Sequence, residues 1–599
     1  MPAHGGPSTP RSVTPGRHRD TAVDSAMLAR LLQAGEPALL RLVRNRRQLL
    51  LGVGVAALAG GAVGSAAVTL GGGHGLAEAI SDGAGSPREA GAFADRDASY
   101  VQAIGDAIEL GAEGLADTPS KAAAAALKAA PTKPNPLSRD PVLHLLRRAT
   151  HGPTRTELAA LRQTGIDAWI DAQLNPSTID DLAVDRLAAF PTVAMTTAQI
   201  RAAVKEYSWD AMFELGRATL ARQFWSKRQL HEVMVDFWSN HLNVTNPFDG
   251  GWDTRTAYDR EVIRAHALGS FAGMLRASAR SPAMLRYLDN ADSHRRAVNE
   301  NYGRELLELH TVGVDSGYTE RDVRHSAYIM TGRTVTSEGE FRYEASRHWI
   351  DPVKVLGFAH PNPSRSKGLQ VGDAYLQYLA THPATATNIA RKLAVRFVCD
   401  NPPQTLVDRL AQAYLDNGTA IVPVLRTLFR SLEFWIATGL KTRRPLENLV
   451  ATVRALGIAP GSDAAGAVEG LYWQAQSLGH APLAWVPPNG YPDVAGAWDS
   501  AHAMLGAWNS HRALVQGWHK GLAYPKLEGL VGRRPATMGA YLDALAERLV
   551  FQSLGSRERA ALLRFLDATE GTRVRGASLG GRLGHLAPLL LDSVYHALR

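Results

Sequence analysis

The chain is almost without cysteine: Cys399 is the single one among 599 residues. An intramolecular disulfide is excluded, and so is any zinc or iron-sulfur centre built on several thiolates. Histidines and carboxylates remain as metal ligands. A strong charge bias is also missing once the charge is located. The formal net charge is +8, yet residues 1–47 carry eight arginines against Asp20, Asp24 and Glu36, and without residues 1–79 there remain 57 basic and 53 acidic side chains. A surplus that small is an ordinary surface, not the clustered base of a nucleic-acid footprint, so no nucleic-acid partner is expected. No strand-turn-helix setting for a Gly-x-Ser-x-Gly nucleophile is present, and "LGGRLGHLAPLL" follows no strand, so it makes no dinucleotide fingerprint.

Long apolar runs are equally scarce, with one exception. "RNRRQLLLGVGVAALAGGAVGSAAVTL" joins the pair Arg46-Arg47 to an uncharged stretch from Gln48 to Leu70 that is diluted by glycine. This has the form of a twin-arginine export signal, in which the arginine pair is read by the export machinery, with Ala77-Glu78-Ala79 as a small-residue cleavage site. The alternative is a retained anchor, since about 20 apolar residues can cross a bilayer. Either way the membrane is met only through this segment, and the body is expected outside the cytoplasm: periplasmic, extracellular or cell-surface.

Residues 80–136 are rich in Ala, Gly and Pro and read as a flexible linker, with "KAAAAALKAA" as a helix lacking a strong apolar face. The folded body is expected over 137–599. Its punctuation is helical. Thr319 stands three residues before Asp322 as a capping pair, with Gly332 as the stop. Ser281 and Pro282 open another helix. Ile389, Leu393 and Phe397 recur every four residues, with Arg391, Lys392 and Arg396 assigned to other faces. "RTVTSEGEFRYEA" reads as a hairpin around Glu338-Gly339. The fold class is therefore mainly α: a large helical domain with a few short β-hairpins, preceded by a signal segment (1–79) and the linker.

Six stretches, "HLLRRATHGPTRTEL", "HEVMVDFWSNHLNV", "YDREVIRAHALGSFAGMLRASARSPAMLRYLDN", "NENYGRELLELHTVGVDSGYTERDV", "HPATATNIARKLAVRFVCDNPP" and "GYPDVAGAWDS", resemble in kind and order the bacterial domain-of-unknown-function family numbered 1800. The resemblance spans about Pro141 to Arg512. It implies an exported protein of unestablished activity and, as a partner, a second exported family numbered 1501. Departures from the family pattern are His151 for an aromatic, a looser "HWID" at His348 to Asp351, and His480 for a glutamine.

One stretch concentrates chemistry. In "NENYGRELLELHTVG", a helix at 100° per residue puts Asn301, Glu305 and Glu308 on one narrow face and His310 opposite. A histidine joining the two acids must then come from elsewhere. His241 is the candidate, because Met234, Phe237 and Trp238 place it on an apolar stripe where its nitrogens need partners. Glu305, Glu308 and His241 thus form the expected site, either an acid/base pair or a carboxylate-histidine set for a divalent metal that activates water. Glutamates on a solvated face, with His241 bonded to a backbone carbonyl, are the plain alternative. Structural duties are expected for His266 (core), Asp289 and Asn290 (helix end), His382 (helix start) and His310 (polar helix surface or a contact to the following turn). Two functions are compatible with this pattern: an exported hydrolase-like enzyme, or a noncatalytic exported scaffold working with a partner such as family 1501.

Overall fold

Most helix signals in the sequence become helices, and each buries one face. The computed structural model describes residues 100, 104, 115–128, 135–181, 190–532, 535–574 and 580–599. Arg46, Arg47, the apolar run and the cleavage site lie outside the described residues. The helices used below are α1 (Pro119–Lys128), α2 (Pro141–Ala149), α3 (Asp210–Trp225), α4 (Gln229–His241), α5 (Asn301–Glu305) and α6 (Glu320–Met330). After them come α7 (Pro383–Phe397), α8 (Pro445–Leu456), α9 (Ala464–Ser477), α10 (Ala501–Val515) and α11 (Gly580–Leu591).

The start of α6 shows how local chemistry sets a boundary. Thr319 accepts from the Asp322 backbone while the Asp322 carboxylate accepts from the Thr319 backbone, so two donors that no helical carbonyl can reach are satisfied reciprocally. Strands are few and paired only in twos, all antiparallel. β1 (Arg333–Val335) with β2 (Phe341–Tyr343) is the hairpin around Glu338-Gly339, in the register Arg333 to Tyr343. β3 (Val353–Val355) pairs with β4 (Phe358–His360), and β5 (Ala459–Pro460) with β6 (Leu522–Ala523). The structure differs from the sequence reading within 80–136. Ala122, Ala123 and Ala126 of α1 are buried, and the hydroxyl of the buried Tyr100 donates to Glu433 O. Small residues allow close helix contact without a strong apolar face, so part of that stretch is folded body and not linker.

Apolar side chains collect in two principal cores. One holds Val233 and Met234 of α4 with Leu393 and Phe397 of α7. The other holds Leu446, Leu449 and Val453 of α8 with Leu471 of α9, Leu514 of α10 and Leu590 of α11. Between them lies a seam of charge. Glu447 of α8 accepts from Arg396 of α7, pairs with Arg444 at 3.2 Å and with Arg599 at 3.3 Å, and receives the Arg444 backbone N–H at 3.0 Å. Arg444 reaches Asp236 of α4 at 2.6 Å, Arg599 reaches Asp493 at 3.1 Å, and Lys441 joins Asp493 (3.2 Å) to Asp400 (2.6 Å). Arg396, on a face of α7 other than the apolar row, is 2% exposed. Surrounding cations hold the Glu447, Asp236 and Asp493 carboxyls below their ordinary range against the opposing effect of burial.

Gly490 lets the "NGYPDV" loop close on this seam. A Cβ there would lie 2.1 Å from Asn240 O, and Tyr491 N donates to Asn240 Oδ1 at 2.9 Å. Removing one member of a buried ion network leaves its partners dry and uncompensated, at about 3–5 kcal/mol. Glu447→Gln is therefore expected to cost about that much in chemical denaturation, and Arg396→Met with Glu447→Met together should cost less than the sum of the two. A loss under about 1 kcal/mol would show that the seam does not couple the cores.

Candidate functional site

The stretch that concentrates acids and histidine is not one straight α-helix. After α5 the chain widens into a π turn over Leu306–His310. The extra residue in that turn rotates the end of the segment, so His310, expected on polar surface, is fully buried. Its two ring nitrogens have no hydrogen-bond partner among the described residues, and burial, then Lys392, pushes the ring down to about 3. Gly303 permits the tight seat of α5 on α6: a Cβ there would stand 2.7 Å from Ala327 N.

A helix end leaves its last carbonyls without intrahelical donors. Here they are supplied from two other helices. His241 Nε2 donates to His310 O at 3.0 Å, Lys392 Nζ donates to Leu309 O at 3.3 Å, and Asn388 Nδ2 donates to Thr311 O at 2.7 Å. Lys392 Nζ also lies 3.1 Å from His241 Nδ1, which accepts from it. Both ring nitrogens of His241 are thereby used, and burial, Lys392 and His310 hold the ring well below its usual range and neutral. The π turn presents its backbone to His241, not its carboxylates. The expected convergence of His241 with Glu305 and Glu308 is not what the geometry shows: among the described residues neither acid bonds the ring. A divalent metal does not fit this donor set, since the ring has no free lone pair and an ammonium group stands against it. Among the described residues no cluster of three or more His, Cys, Asp or Glu has metal-holding geometry.

The two glutamates remain neighbours, in different environments. Glu308 takes Arg304 Nη1 at 3.3 Å and stands close enough for Tyr318 to feel its charge, while Arg304 grips Glu320 at 2.9 and 2.6 Å. Glu305 is half-buried and receives no hydrogen bond among the described residues, and its carboxyl is raised by burial first and by the Glu308 charge second, against Arg304. Tyr287 stands close enough to feel the Glu305 charge. The junction of α5 and the π turn thus carries an acid that favours its proton and, three residues on, an acid with a cation beside it.

The other singled-out residues have structural partners. His266 Nδ1 bonds Val262 O at 3.0 Å, Asn290 Nδ2 donates to Met330 O and Arg333 O, and His382 accepts from Ala384 N at the start of α7. Asp289 takes the left-handed conformation, φ 58°, between two helical segments. His348 is buried with its ring between Thr331 and Asn362.

One constellation escaped the sequence. His511 of α10 is buried with Nδ1 2.7 Å from Asp592 Oδ1 and Nε2 2.6 Å from Asn448 Oδ1, at the wall of a cavity of about 230 Å³ also lined by Trp498 and Met504. Its members come from three helical regions and leave no local spacing. Aspartate and histidine 81 residues apart give no periodic signal.

The family model described as "Protein of unknown function (DUF1800)" matches residues 144–595. The chain belongs to that family. No curated protein and no solved structure matches it. The family's span covers α4, the π turn, α7 and the His511 cavity, and it takes in the charged seam except for Arg599.

Buried neutral histidines give this chain a pH signature. His144, His151, His241, His310, His480 and His596 are all lowered, with burial the largest cause in each. The unfolded chain takes up protons on them near ~6.5 while the folded protein does not, so their contribution is complete above that pH and falls away below it. At pH 5.5 the loss is roughly 1 kcal/mol per ring. Thermal melts at fixed ionic strength should show Tm dropping steadily from pH 7 to pH 5, and a flat profile over that window would contradict this account of the buried rings.

Proposed function

We propose that the protein is exported through the twin-arginine route and acts as an acid/base, hydrolase-like enzyme with Glu305 and Glu308 as its reacting groups. The observation that carries this reading is the pair of neighbouring carboxyls in different surroundings: Glu305 at the end of α5, raised by burial, and Glu308 in the π turn, held by Arg304. An acid raised by its surroundings beside a second carboxylate is how one site supplies both a proton and a base. Glu305, poor in donors and beside a like charge, keeps its proton longer and would protonate a leaving group. Glu308, with Arg304 and Tyr318 beside it, is the carboxylate that takes a proton from attacking water. His241 and Lys392 are positioning residues that fix the carbonyl end of the turn. No step is routed through a metal.

The test is turnover of p-nitrophenyl esters, glycosides and phosphates by purified full-length protein. Glu305→Gln and Glu308→Gln are each expected to lower kcat/KM about 100-fold or more while Tm moves little. The alkaline limb of the pH profile should disappear in the Glu305 variant. Turnover that survives both substitutions removes the pair from the reaction. Replacing Arg46 and Arg47 by lysine is expected to retain the protein in the cytoplasm, read by fractionation.

A second reading has its own observation. Trp209 and Trp473 are exposed and flank Phe213, with ring centroids 6.1 and 5.4 Å from it. Such a face suits a noncatalytic exported scaffold that holds a protein partner such as one of family 1501. Trp209→Ser with Trp473→Ser should then abolish co-purification with that partner and leave Tm unchanged.

A further inference from the structure

The cavity at His511 shares no residue with the Glu305-Glu308 pair. His511 is 1% exposed, and its ring fixes two other side chains through one oxygen each, Asp592 Oδ1 at 2.7 Å and Asn448 Oδ1 at 2.6 Å. The remaining polar atoms of those groups, Asp592 Oδ2 and Asn448 Nδ2, carry no hydrogen bond among the described residues, and both side chains line the cavity of about 230 Å³. The wall therefore holds one acceptor and one donor, each set in place by the same buried imidazole.

A further wall is an aromatic plane. Trp498 Nε1 donates to Pro492 O at 2.9 Å, and its ring stacks on His480 with centroids 4.7 Å apart and an interplanar angle of 10°. An indole locked in that way presents a flat apolar surface without waiting for a ligand. Thr442 and Asp499, also in the lining, have side chains with no hydrogen bond among the described residues.

The charges here do not select an ion. Arg443, in the same lining, donates to the carbonyls of His596 and Leu598, and Glu447 supports its charge against burial. Asp592 is met by His511. What is left is a mixture of hydroxyl, amide and carboxylate groups around an indole, with donors and acceptors interleaved. A ring that carries several neutral hydroxyls, each both donor and acceptor, and that has an apolar C–H face matches this mixture. The volume sets its size: about 230 Å³ is the liquid volume of about eight waters, room for one pyranose and not for a disaccharide.

We propose that this cavity binds a single neutral hexose, free or as the terminal residue of a glycan, with its C–H face on Trp498 and its hydroxyls on Asp592 and Asn448. His511 is a positioning residue that holds the two polar partners. The site is independent of the Glu305-Glu308 reading.

The experiment is isothermal titration calorimetry of the full-length protein with glucose, galactose, mannose and N-acetylglucosamine, and with maltose, cellobiose and lactose as carriers of a terminal hexose. At least one hexose is expected to bind at one site per chain. Equal binding of a matching disaccharide identifies a glycan end as the source, and its refusal identifies the free sugar. Trp498→Leu, and Ala507→Phe, which fills the cavity from α10, are each expected to weaken binding about tenfold or more. Saturation-transfer NMR on the unaltered protein should show the C–H face of the sugar in contact, a readout that does not depend on a variant folding. No heat with any of these sugars, binding that both substitutions leave unchanged, or uptake of phenethylamine or benzoate with every hexose refused would each overturn the proposal.

Discussion

The fold turns on a balance of buried charge around Glu447. Two apolar cores of this size could slide or separate, because hydrophobic burial has no direction. The seam gives them direction. Arg396 and Asp236 project from helices of the first core, Arg444 and Glu447 from the opening of α8 in the second, and Lys441, Asp493 and Arg599 close the network. Ion pairs in a dry interior contribute little net energy against well-packed apolar groups of the same volume. What they contribute here is register, because any displacement of α8 against α4 and α7 would strand a charge.

Several members of that network lie in the stretches by which the sequence resembles its family. Asp236 belongs to "HEVMVDFWSNHLNV", Arg396 and Asp400 to "ARKLAVRFVCD", and Asp493 to "GYPDV", and these separate stretches meet in one network. The same logic operates at the π turn, where His241, Lys392 and Asn388 reach from α4 and α7 to cap another segment's carbonyls. In both places a polar side chain that looks chemically eloquent in the sequence is engaged in holding helices to one another.

Local features are legible in the sequence and distant ones are not. The Thr319-Asp322 box, the Glu338-Gly339 hairpin and the apolar row Ile389, Leu393, Phe397 are short-range patterns, and the structure contains all three. Periodicity fails where a charge is buried by a partner far along the chain. Arg396 reads only as off the apolar row until Glu447 is placed beside it, and His310 reads as surface or a turn contact until the turn before it widens. His241 sits in the apolar surroundings that its stripe predicts, but the identity of its partner, a carbonyl and not a carboxylate, depends on which edge of a distant turn it meets. Glu305 and Glu308 are legible as neighbours, and the difference between their surroundings requires Arg304, Tyr318 and the depth of the turn.

The seam also says something about how the molecule comes to exist. Asp236 emerges from the ribosome long before Arg444, Asp493 and Arg599 have been made, so its side of the network waits, incomplete, through most of the remaining synthesis. Long-range closures of this kind come late in folding and leave the early half with unmatched apolar and charged surface in the interval. The network is therefore complete only after its later members have been made.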